Sequence, residues 1–363
     1  MRLMIRLVPV LALVAGLTQP GPVSAAQGSV YEPSTLCRSA TPTADDLAAT
    51  FDLLSTTTRA NEVSGYRQTQ AATLISTSGD SSTSTGSYVY DAATRRARMD
   101  STGQYSGKTA VFGLVADLAT STVYELNAPD GTNPVVDAQT RAGLKALRRS
   151  AVWVRSHQTM TASTLVDGFN HDWADITDDL DEFRFFNTAP KFTCSVSGSI
   201  VTFKAVGTDG TSYAVVTVDA SGNLIGLAET LNAPQEIVTV IDTAGFDSPA
   251  PVELPDDSIT AEAWRVAVVR GTLPILRNAV AKPATAAVEA LPNLTRRTAA
   301  VRALARSKAA GFMAVYGDNG DVSVHRANIA AGVKVTVIYQ GLTKGYFTVR
   351  VQGQKIVVAT HLP

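Results

Sequence analysis

The sequence predicts an α+β fold in which an antiparallel meander is followed by a smaller α+β C-terminal module. Five stretches of period-two alternation follow one another between Tyr66 and Asn127, and four more lie between Ile200 and Asp242. Such short spacing suits hairpins rather than parallel crossover units. After the proline-rich PAPVELP (249–255), helical periodicity replaces alternation. Charge divides at nearly the same place. Residues 264–363 carry fourteen Lys/Arg against three acids (Glu289, Asp318, Asp321), whereas residues 27–263 carry fifteen against twenty-nine. Halves of opposite sign read as separate modules.

The chain opens with Arg2 and Arg6, an apolar run from Leu7 to Leu17, the breaker TQPGP and the small residues Val23-Ser24-Ala25-Ala26. This order of basic, apolar and small-residue segments predicts a signal peptide over residues 1–26, cleaved after Ala25 or Ala26. The run is too short for a bilayer, which needs about 20 apolar residues. No later segment is apolar enough to span one, and no Cys stands at the cleavage site to carry a lipid. The mature protein is expected to be secreted or extracytoplasmic. In that setting the two cysteines, Cys37 and Cys194, are expected to pair. Zinc is not expected, because His157, His171, His325 and His361 do not join the cysteines at finger-like spacings.

A first helix is predicted from Thr43, whose hydroxyl can cap it. Asp45 and Asp46 favour its N-terminal end, and Leu47, Phe51 and Leu54 share a face. Strands follow at 66–76, 87–91, 95–100, 109–116 and 122–127, with turns at the polar run GDSSTSTG (79–86), at Asp91-Ala92-Ala93-Thr94 and near Asp117–Ser121. Residues 134–154 read as helical, and 160–186 as irregular and acidic. Strands resume at 200–206, 212–218, 224–231 and 236–242, and Gly222 and Asn223 suit the hairpin turn at 219–223. Helices are predicted at 260–280 and 294–316, separated by Pro283 and Pro292. Four closing strands at 322–325, 333–339, 346–352 and 355–360 include a tight turn at Gly353-Gln354.

Four phrases give this order a resemblance: GSYVYDAATRRARMD (86–100), GLVADLATSTVYEL (113–126), YAVVTVDASGNLIGL (213–227) and VTVIDTAGFDSPAPVELP (238–255). Over about residues 43–257 the chain resembles the LolA-like superfamily of bacterial lipoprotein and lipid carriers. Its layout is similar to that of periplasmic sensors joining a LolA-like domain to a small C-terminal one. The resemblance implies a curved antiparallel sheet, a half-barrel closed by helices. It also implies three parts: a signal peptide (1–26), a half-barrel domain (27–258) and a basic C-terminal domain (259–363).

A curved sheet has too few inner side chains to fill its own concavity, so helices or a ligand must do so. Tyr90, Met99, Phe112, Leu114, Tyr124, Val216, Val218 and Leu224 are the candidates to line an apolar cavity. An acyl chain gains about 0.8 kcal/mol per buried methylene, so such a hollow alone can select lipids. The expected function is that of a secreted, non-enzymatic lipid- or lipoprotein-binding carrier of the cell envelope. The alternative is an envelope sensor whose half-barrel is a scaffold for a protein partner. Arg296, Arg297, Arg302, Arg306 and Lys308 are the candidates for an anionic surface or partner. Nucleic acid is not expected, because aromatics for base stacking are lacking. No hydrolase elbow, P-loop, dinucleotide fingerprint or zinc-protease motif occurs, so neither enzyme activity nor a cofactor is expected. The acids between Asp172 and Glu182 lack the spacing of a calcium loop.

Overall fold

The computed structural model describes Cys37 and residues 65–105, 107–131, 133–159, 191–206, 211–233, 236–246, 249–317 and 319–363. The expected signal peptide, the first helix and the acidic stretch 160–186 lie outside the described residues. The fold is α+β: a large, curved, unclosed antiparallel sheet, three helices among the described residues, and a separate four-stranded sheet.

In chain order the elements begin with β1 (Tyr66–Ser76), β2 (Ser81–Asp91), β3 (Arg96–Tyr105), β4 (Lys108–Asp117), β5 (Thr122–Asn127), α1 (Pro134–Leu147) and β6 (Val152–His157). Next come β7 (Lys191–Ser197), β8 (Ile200–Val206), β9 (Tyr213–Val218), β10 (Leu224–Ala233), β11 (Glu236–Gly245) and β12 (Ser258–Thr260). The chain ends with α2 (Ala261–Ala290), α3 (Leu294–Tyr316), β13 (Val322–Ile329), β14 (Gly332–Tyr339), β15 (Thr343–Gln352) and β16 (Lys355–His361).

The chain forms two compact units. One gathers the described residues up to Gly107 with Val115–Thr122 and Gln158–Leu254; the other gathers Lys108–Leu114, Val123–His157 and Pro255–Pro363. In the first, eight strands are hydrogen-bonded in the order β3-β2-β1-β11-β10-β9-β8-β7. Its turns reuse one device, an aspartate that accepts backbone N–H groups just ahead of it. Asp91 accepts from Ala93 and Thr94, Asp117 from Ala119 and Thr120, and Asp219 from Ser221 and Asn223. Such Asx turns reverse the chain locally and set the register of the strands they join.

In the second unit, α2 is the central element. Trp264, Val268, Leu273, Leu276, Val280, Ala284 and Val288 are all buried in one cluster with Val301, Val335, Val337, Phe347 and Val349. Small residues let α1 close on it. A β-carbon on Gly143 would lie 2.8 Å from the Trp264 ring, and one on Gly271 would strike the Ala142 carbonyl. The four-stranded sheet runs β13-β14-β15-β16, antiparallel throughout. Its inward side chains, among them Val333, Val335, Val337, Tyr339, Phe347, Val349 and Val351, alternate with outward ones.

Three sequence expectations require correction. The polar run 79–86, read as a turn, becomes strand from Ser81 onward, because its Ser and Thr residues pair in register with β1 and β3. The helix read to residue 154 ends at Leu147, because Arg148 turns left-handed (φ 59°) and caps it with bonds to Leu144 and Lys145; Val152-Trp153-Val154 then alternates as β6. Pro283, expected to separate two helices after Val280, does not: α2 passes through Pro274 and Pro283 and continues to Ala290, and Pro292 alone lies between α2 and α3. Each proline inside α2 removes one backbone donor and strains one turn. Burial of Val280, Ala284 and Val288 on both sides of Pro283 offsets that cost.

Candidate functional site

Register identifies one face of the first unit's sheet. Tyr66 stands opposite Tyr90, and Tyr90 opposite Ala97; Gln68 stands opposite Tyr88, and Tyr88 opposite Met99. Directly opposed residues project to the same side, so these side chains share one face. On the far strands the same rule places Leu227, Val216 and Phe203 in one row, with Leu224, Val218 and Val201 beside it. Tyr66, Val201 and Leu224 are fully buried, and Tyr90, Ala97, Phe203, Val216 and Val218 nearly so. The face is not purely apolar: Tyr66 donates to Gln68 Oε1 at 3.0 Å, and Gln70, Ser84, Ser101 and Asp242 stand on the same side. The opposite face presents Thr69, Thr73, Thr83, Thr85, Arg98, Asp100, Thr239 and Thr243.

Of the eight cavity candidates, the structure brings five together on this buried face: Tyr90, Met99, Val216, Val218 and Leu224. Phe112, Leu114 and Tyr124 belong to the second unit. There, Leu114 and Tyr124 are buried and Phe112 half-buried. Tyr66, Tyr88, Leu227 and Phe203 share the five-residue face but are not among the sequence candidates. Their signal is the strand alternation itself, read once the register is known.

Cys194 also lies on this face, opposite Phe203. It is bonded to Cys37, with 5.3 Å between the α-carbons, as the sequence predicts. The bridge spans 157 residues of sequence.

The basic candidates divide. Arg297 is buried, donating from Nε to the Leu291 carbonyl and from Nη1 to the Gly353 carbonyl, both at 2.7 Å. Arg302 is half-buried and donates to the Gly332 and Ile329 carbonyls. Both are committed to holding α3 to its surroundings. Arg296, Arg306 and Lys308 are exposed on α3.

A second concentration of charge was missed by sequence. The outer face of the four-stranded sheet carries Lys334, Lys344, Arg350 and Lys355 with His325, Tyr346 and His361. From Val322 to Pro363 the chain has no Asp or Glu. Behind this face, burial pushes the Tyr339 hydroxyl up to about 12, helped by the negative charge of Asp321.

The second unit also holds a cleft of about 440 Å³ whose lining includes Lys108, Asp137, Arg141, Lys145, Ile275 and Tyr316. The Asp137 carboxylate accepts from the Asp130 and Gly131 backbone and from Arg141. Among the described residues no group of three or more His, Cys, Asp or Glu is placed to hold a metal ion. No helix among them is long and apolar enough to cross a membrane.

No protein-family model matches this chain. No curated protein matches it in sequence. Among solved structures, the Pseudomonas aeruginosa MucA/MucB complex is similar at 11% identity and a TM-score of 0.23, over 87% of this chain and 89% of that one. A superposition that loose transfers neither fold nor function.

Proposed function

We propose that this chain is a non-catalytic binding protein of the bacterial cell envelope. In this reading, the buried face of its open sheet takes up a lipid or an acylated ligand. The observation that carries the reading is the segregation of the two sheet faces. Tyr66, Tyr90, Ala97, Leu227, Val216 and Phe203, from six strands, lie on one side, against a hydroxyl-rich opposite side. An acyl chain placing six methylenes on such a face gains about 5 kcal/mol. That is enough for selection without any charged recognition group. The Cys37–Cys194 bridge supports an extracytoplasmic setting, where disulfides persist. Native mass spectrometry of the protein purified from its own host tests the reading. A co-purifying acyl-bearing mass is expected. A chain that stays empty and takes up no fatty acid in solution contradicts it.

A second reading, a sensor whose sheet is a scaffold for a protein partner, is favoured by one feature. On the hydroxyl-rich face Ile75 stands opposite Ile237, with Ile241 two pairs further along. The three are 45%, 41% and 50% exposed. Exposed isoleucines side by side on a sheet suit protein contact better than solvent.

A further inference from the structure

We infer that the outer face of β13–β16 docks the protein on anionic phospholipid bilayers. The inference stands apart from the acyl-ligand reading. An empty sheet leaves it standing, and failure to bind vesicles leaves the sheet reading untouched.

The charge of this face follows from strand alternation in an acid-free sequence. The odd-numbered valines of VKVTVIY (333–339) enter the core with Phe347, Val349 and Val351, which turns Lys334, Lys344 and Arg350 outward. Lys355 extends the set on the edge strand. Lys334 Nζ lies 3.7 Å from the centre of the Tyr346 ring, and that ring stacks on His361 at 4.4 Å. This column across three strands holds the ammonium on the open face without neutralising it. Neighbouring strands are about 4.8 Å apart and alternate residues about 6.8 Å, so Lys334, Arg350 and Lys355 form a diagonal with steps of about 8 Å. None of these cations takes part in an ion pair among the described residues.

Exposed apolar side chains select a bilayer over a soluble polyanion. Leu342, in the turn between β14 and β15, is 70% exposed; Val357, opposite Arg350 on the same face, is 44% exposed; and Leu362, just beyond β16, is 52% exposed. A polyanion in water offers these side chains nothing, whereas the headgroup region accepts apolar groups flanked by cations. The helices pack on the inner face of this sheet. The exposed α3 cations Arg296, Arg306 and Lys308 therefore cannot share the docking plane.

Co-sedimentation of the full chain with phosphatidylglycerol/phosphatidylcholine vesicles tests the inference, with phosphatidylcholine vesicles as reference. Binding is expected only with the anionic lipid, weakening as salt rises. Lys344→Ala and Arg350→Ala should each lose about five-fold, and Leu342→Ser should weaken binding further at high salt. The α3 triple variant Arg296→Ala/Arg306→Ala/Lys308→Ala should bind as the parent does. Thermal melts confirm that each variant is folded. Equal binding to neutral vesicles overturns the inference, as does equal loss in the α3 triple variant. So does binding to soluble polyphosphate with none to vesicles.

Discussion

Replacing Arg297 by alanine should destabilise the second unit far more than replacing its neighbour Arg296. The Arg297 guanidinium joins the Leu291 carbonyl, at the end of α2, to the Gly353 carbonyl in the β15–β16 turn. Each bond is charge-assisted and short, and such bonds contribute about 1.5–3 kcal/mol each. The cost of burying the guanidinium offsets part of this sum. Alanine also leaves two carbonyls unpaired beneath a cavity. A net loss of about 3 kcal/mol follows. For a unit of this size that lowers Tm by about 6–12 °C. Lysine keeps the charge but cannot reach both carbonyls with a planar fork, so Arg297→Lys should recover about half of the loss. Urea titration followed by circular dichroism measures these differences directly. Arg296→Ala, on an exposed position, should stay within about 0.5 kcal/mol of the parent. If Arg297→Ala is as stable as Arg296→Ala, the structural assignment of Arg297 is refuted.

Two further predictions concern the same unit. Gly271→Ala drives a methyl into the Ala142 carbonyl and should cost at least about 3 kcal/mol, measured by the same titration; a neutral effect would mean that α1 does not pack against α2 at this point. Burial pushes the Tyr339 hydroxyl up to about 12, above the ordinary tyrosine value of about 10, so its protonated form contributes stability that is complete below about pH 10 and lost as pH rises through about 12. Tyr339→Phe should therefore flatten the fall in Tm across that alkaline window, and an unchanged slope would remove Tyr339 as its source.

Much of the fold was legible because its turns are local. The YDAAT, ADLAT and VDASG segments each place an aspartate where it can accept the next N–H groups, and each forms the turn that its sequence predicts. What failed was any feature decided by distant contacts. Val152 continues the helical spacing of Leu144 and Leu147, but Arg148 in a left-handed conformation ends α1 and Ile259 of β12 pairs with Val154. Strand β7 was overlooked although KFTCSVS alternates Phe192, Cys194 and Val196 with polar residues. The site was legible in part for the same reason. Tyr90, Met99, Val216, Val218 and Leu224 share a face because their strands pair in register. Phe112, Leu114 and Tyr124 have equally good alternation but belong to another compact unit. Basic charge was assigned to α3 by counting arginines. Hydrogen bonds to backbone carbonyls, which sequence does not display, commit Arg297 and Arg302 instead.

The most direct test of the proposed function is photo-crosslinking of the full chain with a diazirine-bearing fatty acid, followed by peptide mapping. The account predicts labels on the buried face, at Tyr66, Tyr90, Met99, Leu227 or Phe203, which a saturating unlabelled fatty acid abolishes. Labels confined to Ile75, Ile237 and Ile241 on the opposite face, or spread without competition, would contradict it.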